Sequence, residues 1–360
     1  MSVIIVVGGF ILQRQISDYR FIAVYYYLFG FIVALYFPKS IFVSFLFADW
    51  IILKTRSWGK LSGKSCYLVA KCGFWTGIVV VCLFVWGIFF GRNNFTVDRV
   101  EISVENLPVE FDGYKIVQIT DIHAGSFAGS AKRFQKAVNM INGQSPDLIV
   151  FTGDMVNNFA DEAIPFIPVF SQLDARDGKY AVLGNHDYGG YTDWNTPADS
   201  VANHEALKNA IEQMGFVLLN NQSVTINRCD SVCIALIGTE NWGDLERHPK
   251  RADLKKAMET LDIPFKVLLT HNPLFWPEEI EGKTDIVLTL SGHTHGMQMG
   301  VKLGKKRYSP AMFKFRHWGG LYQTDKQYLY VNRGLGVIAF QGRIGMSPEI
   351  TVVTLWREKY

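Results

Sequence analysis

Cysteine is scarce in this sequence, and the scarcity excludes a fold held together by disulfides. Five Cys in 360 residues are too few for such a framework, and none has the spacing of a structural zinc site. Cys66, Cys72 and Cys82 lie in or beside apolar segments, where a thiol packs as a small hydrophobe. Cys229 and Cys233 flank Asp230-Ser231-Val232, a predicted hairpin turn, and two readings stay open there: a disulfide or a pair of free thiols. No G-x-S-x-G elbow is present, which removes a Ser/His/Asp hydrolase of that type. Internal repeats and low-complexity tracts are absent as well. Positive charge is missing where a nucleic-acid backbone would need it. Residues 1–90 hold eight Lys/Arg against two acids, whereas 91–360 hold the remaining 28 against 31. The overall +3 is a basic N-terminal segment joined to a mildly acidic remainder, so nucleic acid is excluded as the main partner.

What the chain does have is apolar residues, at 49%, and most of the excess is N-terminal. Apolar runs occupy 3–12, 21–37, 41–53 and 74–90. A spanning helix takes about 20 apolar residues, with a lower limit near 17. The runs 21–37 and 74–90 meet that limit. The run 41–53 is shorter and carries Asp49, but Pro38-Lys39-Ser40 predicts a tight hairpin that returns the chain. The run 3–12 is a partial first helix, an interfacial one or the core of a signal peptide; no basic residue precedes it, which disfavours the last. Residues 1–92 are thus expected to form a membrane domain of three or four transmembrane helices, and 96–360 the catalytic domain. Lys54, Arg56, Lys60, Lys64 and Lys71 crowd one loop, Arg14 and Arg20 another, and only Lys39 sits in the intervening turn. With the richer loops inside, everything after Gly91 faces away from the cytoplasm.

Chemistry concentrates in five short stretches: Asp121-Ile122-His123, Gly153-Asp154, Gly184-Asn185-His186-Asp187, His271-Asn272-Pro273 and Gly292-His293-Thr294-His295. Each follows a short apolar run of β type, at 115–119, 148–151, 180–183, 267–269 and 286–288. Such runs read as buried strands whose tips carry function. If 121–123 is extended, Asp121 and His123 project from the same side. Asp154 offers two oxygens, Asn185 a neutral amide oxygen, and His271, His293 and His295 nitrogens. Mixed O and N donors without thiolate fit Mn, Fe or Zn. Helical patterns follow the strands at Phe134/Val138/Ile141, Leu207/Ile211/Met214 and Leu254/Met258/Leu261, while Pro165 and Pro168 break 159–170. Together with the β-rich last third, this predicts an α/β fold of two packed β-sheets flanked by helices, preceded by the membrane helices.

In this order and spacing, with 33 residues from Asp121 to Asp154 and 31 from Asp154 to Asn185, the five stretches resemble the calcineurin-like metallophosphoesterase superfamily, and its membrane-anchored bacterial branch in particular. The resemblance implies two divalent transition-metal ions, Mn2+ foremost with Fe or Zn admissible. Asp121, His123, Asp154 and His295 would hold one, and Asp154, Asn185, His271 and His293 the other. It also implies hydrolysis of a phosphomonoester or diester by a hydroxide bridging the ions, with His186 facing the phosphate and Asp187 orienting His186. Five of the eight His fall in these motifs; His204, His248 and His317 stay outside them. Arg333 and Arg343 are candidates to grip the substrate, near Trp318-Gly319-Gly320, the Gly334/Gly336 pair and Phe340. The membrane anchor points to an envelope or lipid-related substrate. A UDP-2,3-diacylglucosamine hydrolase is the rival enzyme, and a non-catalytic membrane sensor or scaffold the rival of another class.

Overall fold

The computed structural model describes residues 19–58, 68–127, 130–229, 232–245, 248–259, 261–304 and 306–358. The apolar run 3–12, Arg14, Lys60 and Lys64 lie outside the described residues. The chain enters through a helix α1 (Tyr19–Trp58) of 40 residues. No hairpin forms at Pro38-Lys39-Ser40; the expected runs 21–37 and 41–53 are one continuous helix with Pro38 inside it. The physical reason is that a proline forfeits one helical N–H, whereas a turn in an apolar setting would strand several backbone groups. At 1.5 Å per residue α1 is about 60 Å long, roughly twice a hydrocarbon core. The second helix, α2 (Leu68–Phe89), packs along it: Gly73 admits the Phe45 ring, and Phe37 meets Phe84 at 5.9 Å. Among the described residues two helices, not three or four, are long and apolar enough to cross a membrane. Their outer surfaces expose large apolar side chains such as Phe31, Phe47 and Trp75, as helices facing lipid do. The chain is membrane-associated.

After α2 come β1 (Thr96–Val104), β2 (Tyr114–Ile119), β3 (Leu148–Thr152), β4 (Lys179–Val182) and β5 (Val217–Leu218). The hairpin β6 (Gln222–Cys229) and β7 (Val232–Gly238) forms as its turn residues predict. Cys233, opposite Asn227, is a free thiol; the Cys229 side chain lies outside the described residues. A small hairpin, β8 (Trp242–Leu245) and β9 (His248–Lys250), precedes β10 (Lys266–Leu269) and β11 (Leu288–Ser291). A second one, β12 (Val301–Leu303) and β13 (Lys306–Tyr308), precedes β14 (Gly320–Thr324), β15 (Gln327–Val331) and β16 (Glu349–Arg357). Two six-stranded sheets result, in the orders β1-β16-β2-β3-β4-β5 and β14-β15-β11-β10-β7-β6.

The sheets pack face to face through Ile116, Val150 and Val182 on one side and Leu236, Val267 and Leu290 on the other. The alternate residues Val117, Ile149 and Phe151 meet α3 (Gln135–Asn142) and α4 (Pro197–Gln213). Ile237, Leu268 and Leu329 meet Trp276, Ile280 and the short α5 (Leu254–Met258). The fold is therefore the expected α/β sandwich, with helices outside both sheets. Strands β3, β10 and β11 are buried throughout, as runs covered on both faces must be. Gly143 closes α3, though Ser130 makes no capping bond; residues 160–170 break into short turns around the prolines.

Topology fixes which end of the sandwich meets the membrane helices. β16 runs parallel to β1 and antiparallel to β2, so Thr96 at the start of β1 lies beside the finish of β2. α2 thus delivers the chain to the sheet end where the parallel strands β2, β3 and β4 terminate. The junction is tight. Gly87 accepts a hydrogen bond from Arg343 N at 3.1 Å, and a Cβ there would stand 2.7 Å from Ile344. Arg92, 1% exposed, donates to Tyr27 and Gln341 and lies 4.7 Å over the Phe127 ring. Ile22 and Tyr26 of α1 are buried against Phe159, so the first turns of α1 run beside the sandwich.

Candidate metal centre

Five strand ends converge here, and the backbone bends the same way in most of them. Asp121, His123, Asp154, His293 and His295 all have positive φ, between 49° and 74°. Asp121 and His123 are therefore not on an extended chain as expected; the left-handed turn after β2, not strand alternation, brings both inward. Each such residue costs about 1–2 kcal/mol relative to ordinary backbone, so the rest of the site must hold them. Two motif glycines leave room: a Cβ on Gly184 would lie 2.2 Å from Asp154 Oδ1, and one on Gly292 2.4 Å from Asp121 Oδ2.

The side chains form three overlapping clusters: Asp121, His123 and His295; His123, Asp154 and His186; Asp154, His271 and His293. His123 Nε2 and His295 Nε2 are 3.0 Å apart, and His295 Nε2 is 3.1 Å from Asp121 Oδ1. Asp154 Oδ2 reaches His271 Nε2 at 3.1 Å and His123 Nε2 at 3.5 Å, so it stands between the two halves. His293 Nδ1 is 3.2 Å from His271 Nε2. The backs of two rings are fixed by acceptors. His271 Nδ1 donates to Thr152 O at 2.7 Å, and His123 Nδ1 to Asn157 Oδ1 at 3.1 Å, which turns both Nε2 lone pairs into the centre. Asn185 Nδ2 donates to Tyr191 Oη at 2.7 Å, leaving its Oδ1 buried with no hydrogen-bond partner.

The buried carboxyls and imidazoles shift one another strongly. Burial pushes the Asp121 and Asp154 carboxyls up, but neighbouring imidazoles (His295 for Asp121, His271 for Asp154) outweigh it and hold both well below the usual range. Burial depresses His271, yet Asp154 and Asp121 raise it to about 9; burial and His271 together lower His293 to about 3. A metal ligand must be the neutral imidazole, so a metal bound at His271 would displace any proton held there. An orphaned amide oxygen, converging imidazole nitrogens and two buried carboxylates fit divalent transition-metal ions.

Three expected roles are corrected. Asp187 does not touch the His186 ring, which donates from Nδ1 to Asn157 O at 2.8 Å and stacks on Tyr191 at 4.1 Å. The Asp187 carboxylate instead accepts from the backbone N–H groups of Asp154, Met155, Val156 and Gly184. Arg333 and Arg343 are buried and do not reach for substrate. Arg333 pairs with Asp98 and Glu349, both at 2.8 Å, and Arg343 donates to the carbonyls of Gly336, Arg333 and Met346. Both guanidiniums are consumed in bracing the loops behind Asp121 and His295. Gly334 and Gly336 form a tight wall against residues 121–122, and Phe340 packs on Phe84 at the membrane junction. Of the histidines outside the motifs, His317 packs on Trp276 and His204 on Tyr188, away from the clusters.

Sequence reasoning missed Asn157, Tyr191 and Glu162. Glu162 is fully buried and accepts from the backbone N–H groups of Gly125, Asn157, Asn158 and Phe159. The available signal was the acidic pair Asp161-Glu162 within a proline-broken, otherwise apolar stretch.

Parallel strand tips gather carboxylates and imidazoles at one end of the two sheets, a donor set suited to divalent metal ions. The chain belongs to the calcineurin-like phosphoesterase family, whose model matches residues 114–297. An uncharacterised metallophosphoesterase of Bacillus subtilis, YkuE, is 33% identical over 69% of this chain and 81% of its own length. A cow protein named "transmembrane protein with metallophosphoesterase domain" is 31% identical over 77% of this chain and 61% of its own. The UDP-2,3-diacylglucosamine pyrophosphatase LpxG of Chlamydia trachomatis is 26% identical over 71% of this chain and 88% of its own.

Burial raises the Glu162 carboxyl from its ordinary 4.5 to about 7, against the pull of its four N–H donors. Raised in the folded state, it adds stability that is complete below pH 4.5 and lost as pH rises through about 7. Metal-free Glu162→Gln should be uniformly less stable, since an amide cannot serve four donors, and should lack that loss in pH-dependent unfolding. An unchanged pH slope would remove Glu162 as the titrating group.

Proposed function

We propose that this protein hydrolyses a phosphoester presented at the membrane surface, a phosphomonoester or diester on a lipid or envelope component. The observation that carries the reading is topological: α2 enters the catalytic domain at the same sheet end that gathers the metal-binding side chains. One ion would be held by Asp121, His123, Asp154 and His295, the other by Asp154, Asn185, His271 and His293, with Mn2+ the first choice and Fe or Zn alternatives. Bound there, the ions supply Lewis-acid polarisation of a phosphoryl oxygen and a water of lowered pKa. The protein's own part is positioning. Burial holds His186 below its ordinary value, and its Nδ1–H is committed to Asn157 O, so Nε2 remains to meet a phosphoryl oxygen or the leaving group. Asp187 acts as a positioning residue for the Asp154 loop. A scaffold reading loses ground because no expected ligand is missing.

A second reading has one specific support, the likeness to the Chlamydia pyrophosphatase: hydrolysis of the UDP-2,3-diacylglucosamine pyrophosphate bond. The side of the membrane separates the two. With α1 continuous from Tyr19, the start of the helix falls on the side of the sandwich rather than with the 54–73 loop, so Arg20 no longer supports the orientation. Lys54, Arg56, Lys60, Lys64 and Lys71 support a reading with the far end of the helix pair in the cytoplasm and the catalytic domain outside it.

Hydrolysis of a panel of monoesters, diesters and nucleotide-lipid pyrophosphates by the metal-loaded full chain tests the chemistry. His186→Ala should keep its metal and lose about 10²–10⁴-fold in turnover, whereas Asp154→Asn should lose metal and activity together. Metal loss in His186→Ala would make it a ligand, and two ions retained in Asp154→Asn would end the bridging role. For the orientation, a protease added to intact spheroplasts should degrade the chain beyond residue 91. Protection until lysis would place the site in the cytoplasm and favour the pyrophosphatase reading.

A further inference from the structure

Residues 297–318 leave the metal-bearing loop after His295, form β12 and β13, pass the turn Pro310–Phe313 and return to β14. In these 22 positions stand six Lys/Arg and no Asp or Glu. Arg307 is paired with Asp98 at 2.8 Å. Lys302, Lys306, Lys314 and Arg316 are exposed and, among the described residues, form no close ion pair, although Lys302 also acts on Asp98 from a longer distance. Apolar side chains alternate with these cations and are just as open. Leu303 is 62% exposed, and Phe313, at 88%, is the most exposed large apolar side chain described. A surface that faced only water would keep the cations and bury the Leu and Phe.

Its place in the fold narrows what covers it. Gly300 N donates to Ile344 O and Ile344 N to Gln298 O, both at 2.8 Å, while Arg343 N donates to Gly87 O in the last turn of α2. The hairpin is therefore two backbone steps from the point where α2 ends, beside the open rings of Phe89 and Phe90. A second copy of this chain would oppose cations to cations. We propose that residues 297–318 dock on the anionic headgroup surface of the bilayer that α1 and α2 occupy, with Lys302, Lys306, Lys314 and Arg316 meeting lipid phosphates and Leu303 and Phe313 entering the interface. Tethered by the helices, the segment needs little affinity of its own. Phe315, in the same segment, packs edge-on against His293 at 5.8 Å, so the docked segment forms one wall of the metal centre. The inference depends on the membrane helices and not on the hydrolytic reading.

The test uses the full chain in nanodiscs of phosphatidylcholine, with or without phosphatidylglycerol, and mass-spectrometric footprinting with a water-soluble lysine reagent. Lys326 serves as the reference, since it precedes β15 at the opposite end of the sheets. Labelling of Lys302, Lys306 and Lys314 should fall several-fold in the anionic discs relative to Lys326. Raising the salt to about 1 M, where the screening length is near 3 Å, should restore it. Phe313→Ser should weaken the protection without changing its salt dependence. Equal labelling in both disc types, or protection that salt leaves untouched, would overturn the proposal. Neither result depends on metal content or turnover.

Discussion

Asp187 and Glu162 supply the constraint on which the centre rests. Each is a buried carboxylate that accepts four backbone N–H groups, and together they bind residues 154–159 on two sides. Those residues contain Asp154, which stands between the two halves of the site, and Asn157, which orients both His123 and His186. Left-handed backbone at five side chains of the site is unfavourable by about 1–2 kcal/mol each. Four backbone hydrogen bonds to each carboxyl are suited to offset it. The strain is concentrated where the chemistry is, as expected of a site that must keep its shape before anything binds.

The same economy governs the junction with the membrane helices. Arg343 lies behind His295 with its side chain on three carbonyls, and its backbone N–H reaches Gly87 of α2. Residue 344 then continues to the β12–β13 segment. One short loop, 340–346, therefore touches the helix pair, the back of His295 and the basic hairpin. Arg333 and Arg343, which resemble substrate grips in the sequence, serve as internal braces because Asp98 and Glu349 hold the first and three backbone carbonyls the second, while Gly334 and Gly336 pack flush against residues 121–122.

Most of the sandwich was legible because its strands are short apolar runs ended by polar residues, and such runs have few alternatives once they are buried on both faces. The identity of the gathered side chains was legible for the same reason, since strand tips point where the strands point. What failed was anything requiring knowledge of local backbone or of partners distant in sequence. Asp187 follows His186 directly, so orientation of that ring seemed natural, yet a 3-10 turn carries its carboxylate to the loop after β3. Asp121 and His123 reach one place by a left-handed turn that no alternation pattern encodes. Pro38 is a strong signal for a turn in water and a weak one in an apolar environment. Glu162 was invisible because only the folded backbone brings four donors to it.

α1 extends well beyond the length that a bilayer requires, and its first turns are fastened along the catalytic domain by Ile22 and Tyr26. A domain on a slack linker sweeps a hemisphere above its anchor and samples solutes in bulk. A domain clamped to its own anchor has one standoff height and one tilt, and its search is reduced to diffusion in a plane. Under that geometry, the reach of a headgroup out of the bilayer acts as a ruler. If the proposed substrate is correct, molecules whose phosphorus lies at the wrong height would be refused before any contact with the clustered Asp and His side chains is made.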